Sequence, residues 1–130
     1  MKKIISIVLR VVAALIMLQT LYFKFSAAPE SVYIFTAVGI EPWGRIGTGV
    51  AELIASILLL VPGTIVLGAV MAIGIMAGAI ATHLLILGIQ VQGDGGQLFA
   101  YAMIVLIASV ILLFIHSDQL LAFKNKLLKQ

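Results

Sequence analysis

Four apolar runs, at residues 4–24, 46–61, 64–90 and 98–116, leave this chain few choices of fold. About 20 apolar residues in a helix cross the hydrocarbon core of a bilayer. Lipid offers no partner to backbone N–H and C=O groups, so each run must close its own hydrogen bonds as a helix. Composition agrees, with 63% hydrophobic and 10% charged residues and a mean hydropathy of +1.26. A soluble domain of 130 residues could not bury that much apolar surface. The chain therefore reads as an all-α polytopic membrane protein, a four-transmembrane-helix bundle forming a single domain over residues 1–130. It has no cysteine, which excludes disulfides and thiol chemistry.

The first run is broken by Arg10 and Gln19. Lys2 and Lys3 before it and Ser26-Ala27-Ala28 after it imitate a signal peptide. Its apolar stretch is longer than a signal h-region, so it is expected to be a retained span. The second run is short; it begins near Trp43 or tilts, and it ends at Pro62-Gly63. The third is long enough to tilt, and the brief link between the two predicts a tight helical hairpin. Residues 25–45 are too polar to cross. Pro29 suits a first helical turn and Gly39 a helix end, with Val32, Phe35 and Val38 on one side. This predicts a short interfacial helix between spans 1 and 2, with Tyr33 and Trp43 as interface aromatics. Residues 118–130 carry Lys124, Lys126 and Lys129 among Leu120, Leu121, Phe123, Leu127 and Leu128, a basic amphipathic tail suited to an anionic leaflet.

A net charge of +3 and a pI near 9.5 could suggest nucleic acid. Yet six of the eight basic residues (Lys2, Lys3, Arg10, Lys124, Lys126 and Lys129) lie at or near the chain ends. That is the positive-inside pattern of a membrane protein. The expectation is a multi-pass protein of the cytoplasmic (inner) membrane with both termini cytoplasmic, the bilayer as its surroundings, and no nucleic-acid partner.

Glu52 is the residue most out of place, because an acidic group at a span centre costs roughly 2.5–3.5 kcal/mol. Helical rise puts it roughly 9 Å below the outer edge, with His83 and Gln19 roughly 8 Å and Tyr101 roughly 5 Å deep. Helical side chains lean toward the N-terminus, so Lys24 leans down and Glu52, on an antiparallel span, leans up to meet it. Lys24, Glu52, His83, Gln19 and Tyr101 thus form one expected polar layer in the outer half. The plainer alternatives are a structural ion pair for Lys24 and Glu52, packing hydrogen bonds for His83 and Gln19, and an interface anchor for Tyr101. Arg10 reads as a snorkelled anchor and His116 as an interface residue. Gly74-xxx-Gly78 with Ala81 offers a small-residue face for close helix contact, and Gly47 and Gly49 could admit a neighbour beside Glu52.

The outer turn Gln92-Gly93-Asp94-Gly95-Gly96 is glycine-rich, but it follows no strand and lacks the lysine and serine of a nucleotide loop. Glu30, Glu52, His83 and Asp94 show no paired-ligand spacing, so no metal site is assigned. No catalytic residue set is visible either.

Leu21-Tyr-Phe-Lys-Phe25, Gly39-Ile-Glu-Pro42 with Arg45, Gly49-Val-Ala-Glu52 and Gly78-Ala79 with His83-Leu84 resemble the DoxX-like family of small four-span bacterial membrane proteins. The resemblance implies a four-helix bundle and marks Lys24, Glu52 and His83 as family-motif positions. It also implies a link to quinone-dependent or redox-stress chemistry, or to membrane chaperoning. The leading reading is an accessory or small-ligand subunit that binds a quinone, with Glu52 as proton acceptor, Lys24 as its charge partner and His83 as donor to a quinone oxygen. The alternative is a scaffold or chaperone gripping another membrane protein. A small transporter, which four spans could form only as a homo-oligomer, is a third. Without a cofactor motif, electron transfer would need a bound quinone or a redox partner protein, so an accessory role is expected over a stand-alone enzyme.

Overall fold

The computed structural model describes residues 2–91 and 93–128. Gln92 and Lys129, read above as loop and tail residues, lie outside the described residues, as do the side chains of Leu120 and Phe123. The helices are α1 (Lys2–Phe25), α2 (Pro29–Val38), α3 (Trp43–Leu60), α4 (Ile65–Thr82), α5 (Gln97–Ile115) and α6 (Ser117–Leu128). A single 3-10 turn, Pro62–Thr64, joins α3 to α4, and a π-helical turn, His83–Leu87, prolongs α4. Four segments, Lys2–Phe25, Trp43–Leu60, Pro62–Leu87 and Gln97–Ile115, are long and apolar enough to cross a membrane. They form an all-α four-span bundle in which α1 packs on α3 and α5, and α4 packs on the same two helices.

Local chemistry explains the boundaries. Pro29 opens α2, and Gly39, at φ +89°, closes it by donating its N–H to Phe35 O and Thr36 O. The second span begins at Trp43, which supplies the length that the run 46–61 lacks. The third stops earlier than the run 64–90, because Gly88, at φ +83°, takes a backbone conformation that other residues resist.

Both described chain ends lie at one end of the bundle, called here the terminal end. There Arg10 Nε and Nη2 donate to Leu59 O (2.6 Å) and Leu60 O (2.9 Å), satisfying carbonyls that α3 leaves open at its last turn. Arg10 leans toward this end as expected, but its partners are backbone carbonyls of α3. His116 Nε2 and Ser6 Oγ are 2.7 Å apart, and Gln119 Nε2 donates to Pro62 O at 2.9 Å. Small residues let the helices approach: Ala13, Ala55, Ala69 and Ala72 are wholly buried with Leu59, Val105 and Leu112. Backbone meets backbone at Gly68, where an added Cβ would lie 2.7 Å from Leu59 N and 3.0 Å from Ala55 O. Gly74 and Gly78 do not serve this purpose, contrary to expectation. A Cβ at either would meet no described atom within 4 Å. Gly49 does admit a neighbour, the ring of Phe25, whereas Gly47 faces open space.

Candidate functional site

At the opposite end, which carries α2 and the 88–96 loop, the four spans separate around a cavity of about 500 Å³. Its walls come from α1, α3, α4 with its π turn, and α5, and α2 covers it with Ile34, Phe35 and Val38. Lys24, Glu52, His83 and Tyr101 all lie on these walls. Gln19 does not; it is exposed on α1. The reason is helical phase. Gln19 is five residues before Lys24, about 140° around the helix, whereas Thr20, four residues before it, shares its face.

Glu52 is 2% exposed and fully engaged. Its Oε1 lies 2.7 Å from Lys24 Nζ. Its Oε2 accepts from Thr20 Oγ1 at 2.9 Å, a hydroxyl equally close to Met17 O. One turn on, Ser56 Oγ donates to Glu52 O at 2.8 Å. Arg45 extends the same seam between α1 and α3: its Nη1 donates to Lys24 O, and its Nε is 2.8 Å from Glu41 Oε1. Arg45, Gly49, Glu52 and Ser56 are all buried, and their spacing of four, three and four residues makes one helical stripe.

His83 opens the π turn and is 5% exposed. Its Nδ1 lies 2.8 Å from Ala79 O. A carbonyl can only accept, so Nδ1 is the donor in this pair. Nε2 is buried and has no partner among the described residues. Leaving such a group unpaired costs about 1–3 kcal/mol. The Phe99 ring stands edge-on, 5.7 Å away between centroids. Tyr101 is half-buried, and its hydroxyl accepts from Gln97 Nε2 at 2.9 Å. Single π turns inside α-helices recur at functional sites, because they re-aim side chains.

Asp94 organises the loop above. Its Oδ1 accepts from Val91 N (3.1 Å) and Gly96 N (2.8 Å), and its Oδ2 accepts from Leu98 N at the start of α5 (3.2 Å). Burial opposes its charge, but these backbone donors outweigh that and hold the carboxyl below the usual carboxylate range. No group of three His, Asp or Glu side chains among the described residues is gathered as a metal site would need.

The family model described as "DoxX-like family" matches residues 8–112. The chain belongs to the DoxX-like family. No curated protein and no solved structure matches it. In this DoxX-like chain the matched stretch contains every residue on the cavity wall and leaves α6 outside. Gly47, Gly74 and Gly78 lie on that wall, and a Cβ at any of them would meet no described atom within 4 Å. Their missing side chains are part of the cavity's volume.

Thr20 and Arg45 are the residues that reading the sequence missed. Thr20 was legible from the phase of Lys24. Arg45 closes the polar stretch 25–45, yet its seven-residue spacing from Glu52 puts it on the same buried stripe.

Proposed function

We propose that this DoxX-like protein binds a small, largely apolar ligand with one polar end, of the quinone class, and acts as an accessory subunit in membrane redox chemistry. The observation that carries the reading is the cavity of about 500 Å³, with Glu52, Lys24, His83 and Tyr101 on otherwise mainly apolar walls. Ligand sites typically measure about 300–1,000 Å³ and set a few polar groups in apolar surroundings. In this reading Lys24 and Glu52 form a fixed polar pole, Tyr101 and His83 orient the ligand's polar end, and Ile34, Phe35 and Val38 of α2 keep water out. Any electrons would pass between the ligand and a partner protein, since the chain has no cofactor motif.

The proposed setting is a bacterial cytoplasmic membrane, with the terminal end in the cytoplasm and the cavity in the outer half. Lys2, Lys3, Arg10, Lys124 and Lys126 at the terminal end support this. Reporters fused at the C-terminus and at Gly95 should fall on opposite sides, the C-terminal one inside.

Native mass spectrometry of gently extracted protein tests the ligand. Wild type should retain a small molecule that Gly78→Phe, which fills the cavity, releases while remaining folded. If wild type retains a protein partner and no small molecule, the scaffold reading replaces this one.

A further inference from the structure

Taking the ligand-site reading as its basis, we infer that the cavity is filled sideways from the bilayer, by a lipid-like amphiphile whose hydrocarbon chain leaves through a cleft between α3 and α4 while its polar head stays under α2. The observation behind this is where the cavity opens. Gly47 on α3 and Gly74 and Gly78 on α4 line it, and all three are exposed. A Cβ at any of them would meet no described atom within 4 Å. Helical phase separates a mouth from a mere hollow. Seven or eleven residues along an α-helix return to within about 20° of the same direction. Gly74 and Gly78 therefore point the same way as Leu67, and Gly47 the same way as Ile54. Leu67 and Ile54 are off the cavity wall and are 45% and 44% exposed on the outside of the bundle. The three glycines thus belong to the wall and to the outward faces at once, so the cavity reaches the surface between α3 and α4.

Depth decides what lies outside that mouth. Gly74 stands roughly 18 Å and Gly78 roughly 24 Å along the third span from Pro62. Both fall within a hydrocarbon core about 30 Å thick. The mouth opens on lipid tails. Above it α2 touches α1, α3 and the π turn, and so bridges the top of the cleft. A wholly polar ligand would have to cross the tails to enter here, whereas one with a hydrocarbon chain arrives already dissolved in them. The far wall, from α1 and α5, supplies Thr20, Lys24 and Tyr101. The Lys24 ammonium has three N–H groups and meets Glu52 with one, and Gln97 donates to the Tyr101 oxygen without using the hydroxyl proton. These donors suit a head that accepts hydrogen bonds, such as a carboxylate or an ester carbonyl.

The test uses palmitic acid with a photoactivated diazirine at mid-chain, and a phosphatidylcholine carrying the same chain, each with the protein in lipid nanodiscs. Labelled residues are mapped by mass spectrometry. Wild type should be labelled at Thr20 or Tyr101, opposite the mouth. Label from the fatty acid identifies a single-chain ligand, and label from the phospholipid alone identifies a chain of the bilayer itself; both support lateral filling. Excess unlabelled palmitic acid should suppress the fatty-acid label at these residues and leave labels on Leu67 and Val70 unchanged. Gly47→Phe and Gly78→Phe, one on each lip, should each lose the internal label with helical content retained, whereas Val70→Phe, off the cavity wall, should keep it. Labels confined to outward-facing residues would overturn lateral filling, and a small molecule still retained in native mass spectrometry would leave the ligand site standing. Internal labels that persist in both lip variants would overturn the α3–α4 mouth. No internal label and no retained molecule would remove the ligand-site reading itself, and the inference with it.

Discussion

At the terminal end of the bundle, α3 and α4 meet backbone to backbone, with Gly68 so close to Leu59 that not even a methyl group fits. At the other end the same two helices carry Gly47, Gly74 and Gly78, and each of these faces open space. One half uses a missing side chain to bring helices together, and the other uses it to keep volume. The polar groups divide likewise. Arg10, Ser6, His116 and Gln119 tie terminal-end elements to one another. At the cavity end His83 Nε2 has no partner among the described residues. In a bilayer, where apolar burial gives helices little reason to associate, close packing and interhelical hydrogen bonds must hold the bundle. The terminal half supplies the packing, and the α1–α3 seam supplies hydrogen bonds that let the other half stay hollow.

The largest expected effect tests that seam. Glu52→Leu leaves the Lys24 ammonium without its partner and should destabilise the protein by about 3–5 kcal/mol. Adding Lys24→Met should recover part of the loss. Thermal unfolding of the wild type, both single variants and the double variant measures the coupling, and additive losses would mean that the ion pair does not hold the cavity end. Next comes the terminal-end glycine. Gly68→Ala forces α3 and α4 apart and should cost about 1–3 kcal/mol.

Smaller effects come from the cavity end. Thr20→Val, which removes the hydroxyl from Glu52, should cost about 1 kcal/mol, whereas Gln19→Leu should stay within about 0.5 kcal/mol of wild type. Equal losses would place both on one face and contradict the helical phase. The Asp94 loop should respond to pH. Because its folded-state pKa is lowered, its contribution is present above the ordinary carboxylate value near 3.9 and is lost as pH falls through the lower folded value. Hydrogen exchange at the start of α5 should accelerate in acid for wild type, and Asp94→Asn should flatten that dependence. Last, Gly74→Ala or Gly78→Ala should be neutral or should stabilise the protein by up to about 1 kcal/mol, since alanine favours the helix and meets no neighbour. A loss like that of Gly68→Ala would erase the contrast between the two ends.

Much of the architecture was legible in the residues. Lipid forces long apolar runs into helices, so the four spans follow from composition and length. Pro29 and Gly39 marked α2, and Pro62-Gly63 marked the hairpin. The Lys24–Glu52 contact followed from two stranded charges and the lean of helical side chains. Depth alone led to Gln19, however, because rise along a helix fixes height and says nothing of azimuth. Thr20 shows that the phase has to be read as well.

The sequence by itself determined that the chain spans a membrane four times, that α2 lies between spans 1 and 2, and that Lys24 and Glu52 must find each other. Those outcomes rest on costs large enough to decide locally, namely unpaired backbone groups and unpaired charges in lipid. Only the tertiary structure decided what each glycine does and what His83 presents. Gly68 and Gly78 are the same residue type in one helix, and whether a neighbour comes close depends on how α3 and α4 diverge away from their hairpin. His83 could in principle donate from either ring nitrogen. The Ala79 carbonyl 2.8 Å from Nδ1 fixes which one donates within α4, and with it that Nε2 is the nitrogen left without a partner among the described residues.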